Sequence, residues 1–152
     1  MGIEIERKFL INGDAWRSVS PIYFCQGYLN RDKECTVRVR VFGDNACLTV
    51  KGINKGSTRS EFEYSIPKND GQQLLQLCKQ PLIEKNRFIV SYANKKWEVD
   101  EFLGSNKGLV IAEIELQSED EIFELPPWVA EEVTNDARYF NSQLSIKPYT
   151  TW

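Results

Sequence analysis

Charges of one sign recur at every second residue in segment after segment of this chain. Residues 3–10 read IEIERKFL, so a period of two puts Glu4, Glu6 and Lys8 on one side and Ile3, Ile5 and Arg7 on the other. The same spacing sets Arg38 and Arg40 among Val37, Val39 and Val41, and gives Thr49 with Lys51, and Lys85 with Arg87. It sets Arg59, Glu61 and Glu63 against Phe62 and Tyr64, Glu98 and Asp100 against Trp97 and Val99, and Glu113 and Glu115 among Ala112, Ile114 and Leu116. A period of two is the strand period, because successive side chains leave opposite faces. A half-exposed sheet also alternates, with assorted polar residues on its wet face. Here the pairs carry like charge, and same-face neighbours on a strand lie roughly 6.5–7 Å apart. Such pairs need opposite charge between them, which a polyanion and its divalent metals would supply.

Which face is inside decides what the chain does. About eight strands joined by short turns fit a barrel. Strands are predicted at 24–31, 34–43, 46–52 and 57–67, with tight turns at Asp44-Asn45 after Gly43 and at Tyr92–Lys95. A helix is predicted over 69–81, capped by Asn69 or Asp70 and stopped by Pro81. Another follows Pro126-Pro127, broken near Thr134–Asp136, its second piece carrying Arg138, Tyr139 and Leu144. The expected fold is mainly β: an eight-stranded, antiparallel, closed barrel with a few flanking helices and a C-terminal helix. At 152 residues it fits one domain. Apolar rows inside would make a barrel for a hydrophobic ligand. Ionic rows inside would make a water-filled charged bore wide enough for one small ligand. The like-signed pairs favour the second arrangement. Its bulky outward residues then need cover, so either a homodimer or helices packed on the barrel's exterior are expected.

The chain has no histidine. That excludes a Ser-His-Asp triad, histidine-ligated zinc and an imidazole base. A metal must rest on oxygen ligands, which favours Mg²⁺ or Mn²⁺. The net charge of −3 gives no general attraction to nucleic acid or to an anionic membrane. No apolar run reaches membrane length and no signal-peptide core is present, so a cytoplasmic protein is expected. The four cysteines lack CxxC spacing and read as buried thiols.

The segment EIERKFL resembles the Glu-x-Glu-x-Lys signature of the CYTH superfamily, the triphosphate tunnel metalloenzymes. Arg38-x-Arg40, Lys51, Glu61-x-Glu63, Lys85-x-Arg87, Asp100 and Glu113-x-Glu115 follow in the family's order, and EVTNDARYFNSQL resembles the closing segment of its short bacterial members. The resemblance implies an eight-stranded tunnel that binds a triphosphate with divalent metal. It implies inorganic triphosphatase activity first. The alternatives are adenylate cyclisation, hydrolysis of thiamine triphosphate or a nucleoside triphosphate, and a non-catalytic polyphosphate-binding module.

On that reading Lys8, Arg38, Arg40, Lys51, Lys85 and Arg87 bind phosphate, and Arg138 closes one mouth or is an ordinary surface residue. Glu4, Glu6, Glu61, Glu63, Asp100, Glu113 and Glu115 are the metal-binding set, enough for two Mg²⁺ or Mn²⁺ ions. The resemblance marks Glu4/Glu6 and Glu113/Glu115 as the best ligands. Glu61 reads equally as a partner for Arg59 or Arg40. A carboxylate of the Glu4/Glu6 pair takes the proton from water. Lys8 and Lys85, crowded by cations, are expected to have lowered pKa values and are the alternative bases. Tyr28 is either a hydrogen-bond partner of Lys8 or a plain barrel aromatic.

Overall fold

The structure is a computed structural model and describes residues 2–152. Strands β1 (Gly2–Ile11), β2 (Ile22–Asn30), β3 (Cys35–Phe42), β4 (Asn45–Gly52) and β5 (Thr58–Ile66) precede helix α1 (Lys68–Leu77). Strands β6 (Ile83–Tyr92), β7 (Lys95–Phe102) and β8 (Val110–Glu115) follow, then a short β9 (Val129–Glu132) and the one-turn α2 (Asn141–Leu144). Every pairing is antiparallel, in the order β5-β4-β3-β2-β6-β7-β8-β1, and β5 pairs back onto β1 to close an eight-stranded barrel. One edge of β1 is shared. Its first half, Gly2 to Ile5, pairs with β5, and its second half, from Phe9, pairs with β9.

The turns follow their residues. Gly43-Asp44 link β3 to β4, with Phe42 opposite Asn45 and Gly43 at φ +55°. Ala93-Asn94 link β6 to β7 with φ of +49° and +62°, the double positive φ of a two-residue hairpin. The predicted turns therefore form, the first one residue earlier than its sequence signal.

Sidedness is as the charge pairs required. The even residues of β1 and the odd residues of β8 carry the ionic groups inward, and Lys8 stands opposite Glu113. The other face is apolar and lies outside the barrel. There Phe9, Phe88, Val90, Trp97, Val99, Ala112 and Ile114 form one cluster, covered by Trp16, Leu116 and Trp128. Helix α1 lays Leu75 and Cys78 over Val39 in a second exterior cluster. Exterior packing thus covers most of this face, while Ile3, Phe62 and Tyr64 stay exposed.

A third cluster lies within the barrel. Leu10, Ile83, Phe102 and Ile111 sit on the same strand faces as Lys8, Lys85, Asp100 and Glu113, two residues further along each strand. Val133, Tyr139 and Leu144 of the C-terminal segment pack onto them. One end of the interior is therefore apolar and plugged.

Two elements differ from expectation. The segment after Pro126-Pro127 is the strand β9 rather than a helix, because the edge of β1 beyond β5 offers it hydrogen-bonding partners. The second piece is only the 3-10 turn Ala137–Tyr139 and α2. Helix α1 starts at Lys68 after Pro67, without a side-chain cap, so Asn69 and Asp70 fall in its first turn.

The seating on β2 of the segment that ends α1, with Cys78 and Leu82, depends on Gly27. A Cβ there would lie 2.6 Å from Leu82 Cδ2 and 2.7 Å from Cys78 Cβ. Overpacking of this kind costs about 1–3 kcal/mol, so Gly27→Ala should lower the melting temperature by several degrees. An unchanged melt would show that this segment does not seat against β2.

Candidate active site

The bore is a cavity of about 200 Å³ lined almost wholly by polar side chains. Its charge is arranged in two halves. Barrel order places β5, β1, β8 and β7 side by side, and these strands supply Glu61, Glu63, Glu4, Glu6, Glu113, Glu115 and Glu98. The adjoining β6, β3 and β4, with β2 among them, supply Lys85, Arg87, Arg38, Arg40 and Lys51. Lys8 on β1 and Arg59 on β5 are the cations of the acidic half. Seven cations thus face seven carboxylates.

Without ligand these groups neutralise one another. Lys51 Nζ donates to Glu4 at 3.0 and 3.2 Å and lies 3.3 Å from Glu61. Lys8 Nζ is 3.5 Å from Glu113 and 4.0 Å from Glu6. Arg38 donates to Thr49 Oγ1 at 3.2 Å and lies 3.5 Å from Glu63, and its buried Nε has no partner among the described residues. Arg87 reaches Glu98 at 3.3 Å and Glu113 at 3.7 Å. Arg40 is different. Its Nε donates to Gln26 Oε1 at 2.9 Å, its guanidinium lies 5.0 Å from the Phe24 ring, and no carboxylate comes within ion-pair distance among the described residues. Burial, then Arg38 and Arg87, pull its pKa down to about 9, so it stays a cation at neutral pH without an anion of its own.

Asp100 and Arg138 are not brought to the bore. Asp100 is 1% exposed and lies behind the lining. It accepts from Lys85 Nζ at 2.7 Å and from Arg87 Nε and Nη2 at 2.8 and 2.9 Å. Those bonds hold its pKa near 2 against its burial, and they fix both cations from the rear. Arg138 is exposed outside and pairs with Asp136 at 2.7 Å. Tyr28 does line the bore, but no hydrogen bond joins it to Lys8 among the described residues.

The two lysines expected to be acidified part company. Lys85 is lowered to about 7, by burial first, with Arg87 and Arg40 adding and Asp100 opposing. Lys8 is raised, because Glu113 and Glu6 outweigh its burial. On the acidic half, burial and then Glu113 push the Glu6 carboxyl well up. Burial acts on Glu113 in the same direction, but Lys8, a hydrogen bond from Glu6, Lys85 and Arg87 overcome it and hold that carboxylate well below its usual range. The two carboxyls are thus driven apart, Glu6 holding a proton more readily than Glu113. Glu115 and Glu63 are exposed at the rim.

Among the described residues no three carboxylate or thiol side chains form a ready metal cage. The donors nevertheless suit a hard divalent ion. They are carboxylates only, and Mg²⁺ typically takes one or two such ligands and completes its shell with water and phosphate oxygens.

Some lining residues went unassigned. Arg59 and Glu98 share the period-two rows of their strands and were readable there. Ser57, Thr134, Phe140 and Asn141 come from loops and the C-terminal segment, which carry no periodic signal.

A closed antiparallel barrel with a bore half acidic and half basic defines a polyanion tunnel. The chain belongs to the CYTH family: the CYTH domain model matches residues 2–145. It is 50% identical to the inorganic triphosphatase of Acetivibrio thermocellus, over 98% of this chain and 97% of that protein. With the inorganic triphosphatase of Nitrosomonas europaea it shares 33% identity, covering 94% and 97%. The solved structure of the inorganic triphosphatase NE1496 superposes with a TM-score of 0.68 at 31% identity, covering 94% of each chain.

Proposed function

We propose that this protein hydrolyses inorganic tripolyphosphate to diphosphate and phosphate in the bore, with Mg²⁺ or Mn²⁺. The division of the bore into a basic and an acidic half carries this reading. A triphosphate lies along Arg38, Arg40, Lys85 and Arg87, with Lys8 and Lys51 turning to it from their carboxylates. The planar guanidinium fork matches phosphate oxygens, and the lysines add point charges. Freed in this exchange, Glu4, Glu61 and Glu113 face the substrate and, with Glu6 and Glu115, are the side chains that would hold divalent ions. Such ions neutralise phosphate charge and lower the pKa of a bound water.

Phosphoryl transfer is mostly positioning and charge stabilisation. The basic half fixes the chain of phosphates from one side and takes up the charge that builds on the departing diphosphate. The water's proton passes to the Glu4/Glu6 pair. The apolar plug formed by Leu144, Tyr139 and their neighbours keeps bulk water out of one end. An inorganic substrate is favoured over an organic one because no tryptophan lines the bore among the described residues: Trp16, Trp97 and Trp128 pack in the exterior cluster, and Trp152 packs edge-on against Tyr139 and Tyr149.

Phosphate release from tripolyphosphate, ATP and thiamine triphosphate, each with Mg²⁺, Mn²⁺ or EDTA, tests this. Tripolyphosphate should turn over only with metal, giving phosphate and diphosphate in equal amounts. Formation of cyclic AMP from ATP would make the protein a cyclase, and tight binding without turnover would make it a binding module.

A further inference from the structure

Gln26 is fully buried on the inward face of β2, yet it belongs to none of the charged rows. Both ends of its carboxamide are used. Oε1 accepts from Arg40 Nε at 2.9 Å, and Nε2 donates to Asn141 Oδ1 at 3.1 Å. Asn141 Oδ1 also accepts from Lys85 Nζ at 3.4 Å. The direction of this chain is forced. A guanidinium only donates, so Gln26 must turn its oxygen to Arg40 and its NH₂ to Asn141. Asn141 must then present its oxygen to both Gln26 and Lys85.

We infer that Asn141, at the start of α2, is a positioning residue for the basic half of the bore, acting on Lys85 directly and on Arg40 through Gln26. The inference rests on the triphosphatase reading. Among the described residues no carboxylate lies within ion-pair distance of Arg40, so the Gln26 oxygen and the Phe24 ring are its fixed points. Loss of the Asn141 acceptor lets the Gln26 amide rotate and point its NH₂ at a guanidinium. Lys85 keeps Asp100 but loses its second contact, and turns toward that carboxylate and away from the bore. The C-terminal segment thereby does more than plug one end, because its docking sets the geometry of two phosphate-binding cations.

The test is steady-state kinetics on tripolyphosphate with Mg²⁺ for Asn141→Leu, Asn141→Asp, Gln26→Met and the Gln26→Met/Asn141→Leu double variant, each checked by thermal melting. A displacement of about 1 Å at a reacting group can cost 10²-fold, so Asn141→Leu should lower kcat by about 10–100-fold. Asn141→Asp keeps the acceptor oxygen and should restore kcat to within a few-fold of wild type, as an order-of-magnitude expectation, while its charge among cations raises KM. Gln26→Met should lose about as much as Asn141→Leu, and the double variant no more than the worse single one, as residues in one network do. Multiplying losses in the double variant, or an Asn141→Asp kcat no better than that of Asn141→Leu, overturns the inference. Where Asn141→Leu does not fold, an unchanged kcat in Gln26→Met overturns it equally. A wild-type protein without turnover removes the triphosphatase reading and this inference with it. An active wild type with an additive cycle removes the inference alone.

Discussion

Lys85→Met should lower kcat/KM for tripolyphosphate by about 10²–10³-fold and leave the barrel folded. The Lys85 ammonium is 1% exposed and sits between Asp100 at 2.7 Å and Asn141 at 3.4 Å. A buried, hydrogen-bonded charge pair typically costs about 2–5 kcal/mol when one partner is truncated. The fold survives because Asp100 keeps two bonds from Arg87, at 2.8 and 2.9 Å. The pH dependence carries a sign. Burial lowers the Lys85 pKa to about 7 in the free protein, so the cation is progressively lost as pH rises through that value. Since kcat/KM reports ionisations of the free enzyme, it should fall above about pH 7, and Lys85→Met should abolish that limb. A limb that rises through pH 7 and vanishes in the variant would instead make Lys85 the base. Unchanged kcat/KM would remove Lys85 from the site.

Glu113→Gln should be at least as damaging, through a different parameter. Glu113 is the counter-ion of Lys8 at 3.5 Å and of Arg87 at 3.7 Å, and after burial it is the group that most raises the Glu6 pKa. A divalent ion on this pair favours both groups as carboxylates, against the raised pKa of Glu6. Metal binding should therefore release protons, and the metal concentration for half-maximal activity should fall as pH rises, since ligands must be deprotonated. Losing even an outer-shell partner of a metal ligand costs about 10–100-fold in affinity or activity, so losing a ligand carboxylate should raise the required metal concentration by about 100-fold or more. Loss of the Glu113 charge removes one of the causes that raise Glu6, so the pH dependence should flatten as well. Calorimetric titration of Mn²⁺ in buffers of different ionisation enthalpy reads the proton count directly. A wild-type count of zero would separate the pair from the metal.

The main decision, which face is inside, was legible from the sequence, because like-signed pairs such as Arg38/Arg40 and Glu113/Glu115 make little sense on an ordinary wet face. Most of the site followed from the same alternation. Asp100 shows its limit. It shares the face of Glu98, but register sets it directly opposite Arg87, where two arginine nitrogens and Lys85 close over it. Cross-strand register is not written in a single strand. The apolar end of the interior was hidden for a related reason. Leu10, Ile83, Phe102 and Ile111 continue the ionic rows by one more step, and only the docked C-terminal segment explains why they are greasy. β9 was misread because Val-Ala-Glu-Glu suits a helix locally, whereas the free edge of β1 supplies strand partners, a tertiary override of propensity. Gln26 and Asn141 carry no charge and no period, so their link to Arg40 and Lys85 appears only in three dimensions.

The most direct measurement is a crystal structure with the imido analogue of tripolyphosphate and Mn²⁺, the ions located by their anomalous scattering. The anion should lie in the bore within hydrogen-bond distance of Arg38, Arg40, Lys85 and Arg87, with manganese between it and the glutamates of β1 and β8. An anion bound on the outer surface, with only water in the bore of an active protein, would contradict the account.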